Sequence, residues 1–358
     1  MNKKVAIIGT VGLPAKYGGF ETLAEHIVGN KGDDFEFLVY CSKKAYPNVT
    51  ERNVNASLKY LPLNANGVQS IPYDIWSILH SIRKVDTLLI LGVSGCIILS
   101  FVKIFTSKKI IVNIDGLEWK RAKWGNAAKW FLKYSEKIAV KYADVVIADN
   151  KVIQEHIKNS YGKQAELIAY GADHTKALEI TQVTFNEFPF LKENYAFKVC
   201  RIEPENNVQL ILNAFTTFKK INLVIVGNWN VSKYAQNLRK QFQNRENIFL
   251  LDPIYEQDKL NQLRSNCYLY VHGHSAGGTN PSLVEAMFLK LPVLAYGINY
   301  NRETTANQAL YFEDVPSLIQ SLEGIQNEKL EETGDAMYKI AEENYTWKKV
   351  ADSYAQVF

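Results

Sequence analysis

The chain has 358 residues, 47% apolar and 22% charged, with a formal net charge of +4. These proportions exclude a disordered, collagenous or coiled-coil chain, and the length suits two domains of about 150–200 residues each. The charge excess is too small to define a nucleic-acid surface and no nucleic-acid module is recognisable, so nucleic acid is not an expected partner.

Cys41, Cys96, Cys200 and Cys267 show no zinc or redox spacing and read as reduced, buried thiols of a cytoplasmic protein. The opening MNKKVAIIG has too short an apolar run for a signal peptide and reads as a first strand. The longest uncharged stretch, 87–102, is interrupted by Gly92, Ser94 and Gly95. It falls short of the ~20 residues that span a bilayer and reads as strand, turn and helix. Membrane contact would therefore be peripheral.

Apolar, β-rich runs in the first half lie at 5–9, 35–40, 58–61, 87–91, 110–114 and 144–148. Helical patterns separate most of them, as at 20–28, 73–83 and 122–142. Near-continuous apolar strands alternating with helices predict a parallel sheet covered on both faces. The pattern restarts with strands at 197–202, 223–227, 248–251, 268–272, 293–296 and 310–312. Helices are expected at 207–219, 234–243, 257–264, 282–290, 329–344 and 347–357. The stretch 175–194 has weak periodicity and reads as the linker. The expected class is α/β, with two doubly wound Rossmann-like halves, 1–175 and 176–345, facing across a cleft and binding ligands beyond the carboxyl ends of the strands.

Two glycine loops suit an anion. The first strand runs into GTVGLPAKYGGFE, where Gly12, Gly18 and Gly19 precede a helix. Glycine allows close backbone approach, and a helix start offers N–H groups to an anion, so the loop suits a nucleotide-sugar diphosphate or a bound sugar. A ligand-free βα turn is an equally open reading. The second loop is HGHSAGGTNPSLVEAM, in which Asn280 is a good N-cap and Pro281 fits the first turn. Unpaired N–H groups of residues 282–284 are expected to face the ligand, with Glu285 on the first turn accepting bonds from ribose hydroxyls. A macrodipole-stabilised surface glutamate is the alternative. Arg201, at the end of the first strand of the second half, suits a leaving diphosphate; a surface ion pair with Glu203 or Glu205 is the alternative.

CRIEPENNVQLILNAF resembles the glycosyltransferase family 4 segment G-R-L-x-P-E-K-N, and TNPSLVEAMFLKLPVLA resembles that family's G-L-P-x-L-E-A-M-A-x-G-x-P-V-I-A. GTVGLPAKYGGFETLAEHI is similar to the capsule and exopolysaccharide rhamnosyltransferases within it. The resemblance covers both halves. It implies a GT-B fold and retaining, metal-independent transfer without a cofactor. The donor diphosphate would lie on Arg201, Thr279, Asn280, Pro281 and Ser282, and the ribose on Glu285. The last helix, 346–358, would cross back to the first domain, with Trp347 at its start. Three positions depart from the family. Asn206 stands where the family has lysine, Gly277 where it has the first glutamate of its E-x7-E pair, and Asp115-Gly116 where it has His-Asp. Loss of that glutamate removes a sugar-hydroxyl contact and is compatible with a deoxysugar donor such as dTDP-rhamnose.

Asp115, after the run IIVNI, is the candidate catalytic carboxylate, orienting the acceptor hydroxyl or supporting the transition state; a turn aspartate is the alternative. Glu118, Lys120 and Arg121 follow as candidate acceptor contacts. His274 of the H-x-H pair is a candidate donor contact, and no third ligand accompanies the pair to make a metal site. Residues 119–141 hold seven basic residues and one acidic residue, Glu136, interleaved with Trp119, Trp124, Trp130 and Phe131. That mixture suits an anionic membrane surface or a lipid-pyrophosphate acceptor, or an ordinary amphipathic helix. A hexosyltransferase acting on a saccharide or lipid-linked saccharide is the leading reading. A nucleotide-sugar epimerase or hydrolase, and an inactive nucleotide-sugar-binding homologue, are the alternatives.

Overall fold

The computed structural model describes residues 2–16, 18–48, 52–53, 55–114, 116–121 and 124–358, with backbone alone at 52 and 53. It forms two compact units, Met1–Gly171 with Trp347–Phe358, and Ala172–Thr346.

Unit 1 runs β1 (Lys3–Ile8), α1 (Gly19–Lys31), β2 (Phe35–Ser42), β3 (Arg52–Asn53), β4 (Ala56–Leu61), α2 (Ser70–Ser81), β5 (Thr87–Leu91) and α3 (Leu99–Phe105). It continues through β6 (Lys109–Ile114), α4 (Asn126–Tyr142), β7 (Val145–Ala148), α5 (Lys151–Tyr161) and β8 (Glu166–Leu167). The sheet order is β3-β4-β2-β1-β5-β6-β7-β8, parallel except for β3. Val5, Ala6, Ile7 and Ile8 are wholly buried, as their unbroken apolar run requires of a strand covered on both faces. The chain moves from β1 to β2 in one direction and returns to β5 on the other side of β1. That reversal places a crevice at the carboxyl ends of β1 and β5.

Unit 2 comprises α6 (Gln182–Glu187), β9 (Tyr195–Val199), α7 (Val208–Thr217), β10 (Asn222–Val226), α8 (Lys233–Phe242), β11 (Ile248–Leu251), α9 (Gln257–Ser265) and β12 (Leu269–His272). It closes with α10 (Pro281–Phe288), β13 (Val293–Tyr296), α11 (Asn299–Thr304), β14 (Leu310–Phe312), α12 (Val315–Glu323) and α13 (Asn327–Asn344). The sheet, β11-β10-β9-β12-β13-β14, is wholly parallel and reverses between β9 and β12. The carboxyl ends of these two strands are its switch point. The stretch expected as linker contains α6, capped by Thr181, whose hydroxyl accepts from the Thr184 amide at 3.2 Å.

The final helix, α14 (Trp347–Val357), lies in unit 1 against α1. Trp347 stacks on His26 at 4.2 Å between ring centroids. The Asn113 amide donates to the Tyr354 hydroxyl at 2.6 Å, and Lys31 pairs with Asp352 at 2.6 Å. Trp347, Val350 and Tyr354 are buried with Leu23, Ala24 and Ile27 over β1 and β2, so α14 completes one layer of unit 1. The helix expected at 122–142 begins instead at Asn126, after extended Gly125, and a 3-10 turn covers Glu118–Lys120.

Candidate functional site

In unit 2 the switch-point crevice is bounded by the segments after β9 and β12. Arg201 follows β9 and its side chain is exposed. Among the described residues it has no ion pair, so the surface pairing with Glu203 or Glu205 is not formed. Its loop is fixed through the backbone: the Asn206 side-chain amide donates to the Arg201 carbonyl at 2.6 Å, and the Asn207 side-chain amide to the Gly273 carbonyl at 2.9 Å. The Ser275 amide donates to the Glu205 carbonyl at 2.8 Å. An uncommitted guanidinium on a braced loop is a ready anion ligand.

The start of α10 differs from expectation. The side-chain oxygen of Asn280 accepts from the Ser282 amide at 3.1 Å and from its hydroxyl at 2.8 Å. The Asn280 carbonyl accepts from the amides of Leu283 at 3.0 Å and Val284 at 3.2 Å. The amides of 282–284 are thus engaged by the cap itself, which is what an asparagine N-cap does. Pro281 has no N–H to offer. Thr279 is buried and Ser282 half-buried.

Glu285 lies beyond the first turn of α10, which carries no acidic residue. Its carboxylate is shared between Arg264 and His174, the latter at 3.3 Å. Arg264 is buried and also donates to the Asn261 side-chain oxygen at 2.9 Å. Burial opposes ionisation of Glu285, but the Arg264 charge and then the His174 hydrogen bond override it, holding the carboxyl at about 2. The side chain is 19% exposed. It is therefore neither a solvated surface glutamate nor a free acceptor. A ribose would have to share an anion already fixed by two donors. His174 and Arg264 carried no motif that marked them in the sequence.

His272 ends β12 fully buried, and neither ring nitrogen has a partner among the described residues. Burial, with Lys198 second, holds it well below the usual histidine range. His274 stacks on it at 4.4 Å. No cluster of three or more His, Cys, Asp or Glu able to hold a metal occurs among the described residues.

In unit 1 the glycine loop follows β1 at the β1/β5 crevice. Gly9 has φ 93°, and a Cβ there would lie 2.1 Å from the Leu91 carbonyl oxygen, so only glycine lets the chain pass the end of β5. Gly12 is packed under Cys41 and Tyr46, whose atoms would meet a Cβ at 2.9 Å. Gly18 precedes α1, which starts at Gly19. The loop closes on Glu21, in the first turn of α1: the Val11 amide donates to its Oε1 at 2.6 Å and the Thr10 hydroxyl at 3.3 Å. A carboxylate at that helix start repels a diphosphate and favours neutral hydroxyls. Gly12, Gly18 and Gly19, expected as donor contacts, thus surround a helix start that the Glu21 carboxylate holds.

Asp115 lies outside the described residues. Of the acceptor candidates, Glu118 pairs with Arg121 at 2.7 Å and accepts from the Trp124 indole at 3.0 Å, while Lys120 is exposed. Glu136 faces inward, receiving the Trp119 indole at 2.9 Å, the Tyr161 hydroxyl at 2.7 Å and His156 at 3.0 Å.

Two doubly wound units, parallel but for β3, have the architecture of the GT-B class of fold. The comparisons place the chain further. Residues 181–339 match the model described as Glycosyl transferases group 1, and residues 2–173 match a domain of unknown function, DUF1972. No curated protein sequence matches the chain. The fold is similar to sucrose-phosphate synthase from Thermosynechococcus elongatus, with a TM-score of 0.83, 14% identity, and 99% of this chain and 98% of that one covered. It is also similar to Anabaena HepE in complex with UDP and glucose, with a TM-score of 0.75, 12% identity and 99% of both chains covered. A trehalose-6-phosphate protein from E. coli bound with UDP-2-fluoro glucose gives a TM-score of 0.71 and 10% identity, over 99% of this chain and 98% of that one. The chain has the GT-B fold, and the match of residues 181–339 to the group 1 glycosyl transferases supports a glycosyltransferase.

Proposed function

We propose that the protein is a retaining hexosyltransferase. It takes a nucleotide-sugar donor, with dTDP-rhamnose favoured, and transfers the sugar to a saccharide acceptor, lipid-linked at the cytoplasmic face of a membrane, in surface polysaccharide synthesis. The observation that carries this reading is Arg201: an exposed, unpaired guanidinium on a braced loop at the β9/β12 switch point, inside the group 1 domain. The structures it resembles include one in complex with UDP and glucose. The rhamnose preference rests on the sequence resemblance and on Gly277.

In the proposed step, the bond from the anomeric carbon to the diphosphate breaks. The acceptor oxygen bonds to the same face of that carbon, and the acceptor proton passes to the departing phosphate oxygen. Arg201 offsets the charge that builds on the diphosphate, and Thr279, Asn280, Pro281, Ser282 and His274 line its loop. Asp115 orients the acceptor hydroxyl. Charge stabilisation of this kind is worth about 10²–10³ in kcat per donor. The test is anomer-resolved NMR of the product with dTDP-rhamnose and UDP-glucose, with Arg201→Ala and Asp115→Asn beside the wild type. A product of inverted configuration would sink the retaining step. Undiminished Arg201→Ala would sink the role of the arginine.

The membrane part of the proposal is supported by unit 1. Its right-handed connections put α2, α3 and α4 on the sheet face opposite α1 and α14. Trp76 and Leu79 of α2, Phe101, Ile104 and Phe105 of α3, and Trp130 and Tyr134 of α4 are all exposed. The carboxylates on these three helices, Asp74 and Glu136, are buried, while Lys133, Lys137 and Lys141 are exposed. Apolar rings among lysines, with no outward carboxylate, suit an anionic bilayer surface. No helix of the described residues is long and apolar enough to cross a membrane.

A further inference from the structure

The central strand of unit 2 holds a lysine that no contact among the described residues explains. Lys198, on β9, is fully buried, and its ammonium nitrogen has no hydrogen-bond partner among the described residues. A buried, unpaired cation or amine is costly, and native interiors rarely keep one. Burial lowers its pKa, and the only group opposing that shift is Cys200, itself pushed up by burial and so a poor anion.

The surroundings show what is missing. The side chain runs up to the carboxyl end of the sheet. A Cβ on Gly273 would stand 3.3 Å from the Lys198 nitrogen and 2.5 Å from the Asn206 carbonyl oxygen. The ammonium therefore lies directly beneath the junction of the two loops that brace Arg201. His272, the neighbour of Gly273, brings two further ring nitrogens without partners. Three orphaned nitrogens thus converge at the β9/β12 switch point, where ligands of doubly wound sheets bind. A Cβ at 273 would also meet the Ile211 Cδ1 at 2.9 Å, so glycine is what lets the two loops close over the amine.

We propose that Lys198 is the second cation for the donor's diphosphate, raised from within the strand, and that ligand binding rather than folding supplies its partner. This rests on the donor reading of the preceding section. A diphosphate carries more negative charge than Arg201 alone neutralises, and position 206, at the mouth of the same loop, is an uncharged asparagine whose side chain is committed to the Arg201 carbonyl. Lys198 delivers its charge to the same place from below.

The experiment is calorimetric titration of the full chain with UDP, dTDP, uridine, thymidine and inorganic pyrophosphate, comparing wild type with Lys198→Met and Lys198→Gln. Two neutral replacements are used so that a folding defect in one does not decide the result; melting without ligand checks both. The expected result is a loss of at least tenfold in affinity for the nucleoside diphosphates and pyrophosphate, unchanged nucleoside affinity, and an unliganded melting temperature equal to or above wild type. Equal affinity for the diphosphates in wild type and both variants overturns the role of Lys198 and leaves the donor reading standing, as does a parallel loss for nucleosides and diphosphates. A wild type that binds none of the diphosphates overturns the donor reading itself.

Discussion

Replacing Glu285 by glutamine probes the network under α10. At neutral pH the substitution removes the anion between Arg264 and His174 while leaving Arg264 buried. Breaking a buried pair from one side costs about 3–5 kcal/mol. The pH dependence gives an independent figure. The carboxyl is lowered from 4.5 to about 2, which corresponds to about 3 kcal/mol of stability at pH 7. Because the folded-state value is depressed, this contribution is complete above the unfolded value, near pH 5. It is lost as pH falls toward 2. For a unit of this size about 1 kcal/mol moves the melting temperature by roughly 2–4 °C, so Glu285→Gln should melt roughly 6–12 °C below wild type at pH 7. Scanning calorimetry of the unit 2 transition at pH 7, 5 and 3 is the assay. The gap between the two proteins should be nearly constant from pH 7 to 5 and shrink by about half or more at pH 3. A gap that is absent at pH 7, or identical at pH 7 and pH 3, would refute the assignment of Glu285 as a fixed anion.

Trp347→Ala removes the ring stacked on His26 and should cost unit 1 about 3–5 kcal/mol, read as early release of α14 in limited proteolysis. Asn280→Ala removes the side-chain cap of α10 and should cost about 1 kcal/mol in thermal unfolding. Ile104→Glu with Phe105→Glu should reduce co-sedimentation with anionic vesicles severalfold while leaving the melting temperature within about 2 °C, since both side chains are exposed. Equal binding of this variant and wild type, or equal binding to neutral vesicles, would contradict the membrane surface. Gly12→Ala forces a Cβ onto Cys41 and Tyr46 at φ 142° and should destabilise unit 1 by more than 1 kcal/mol in urea.

The strands were legible because both sheets are covered on two faces, so VAII, LLIL and LVIV read as unbroken apolar runs. Helices whose apolar stripe is short escaped the periodicity reading. α5 shows its boundaries in the Asn150 N-cap and the left-handed Gly162, and α12 in the capping box of Asp314 with Ser317. The chemistry was legible where a residue type and a strand end coincide, as at Arg201. It was misread where a side chain answers a local demand, as when Asn280 uses the amides expected to await a ligand. Arg264 and His174 were not found because the Glu285 carboxylate they share lies well along the chain from each, and Glu21 and Lys198 because no spacing announces them.

Release of nucleoside diphosphate, measured by a coupled assay across dTDP-, UDP- and GDP-sugars with and without saccharide and lipid-linked saccharide acceptors, tests the central claim most directly. The account predicts acceptor-dependent release, greatest with dTDP-rhamnose, and reduced about 10²-fold or more in Arg201→Ala. Release that ignores the acceptor would indicate a hydrolase on the same fold. No release with any donor and acceptor, from protein that binds the nucleotide, would contradict a transferase.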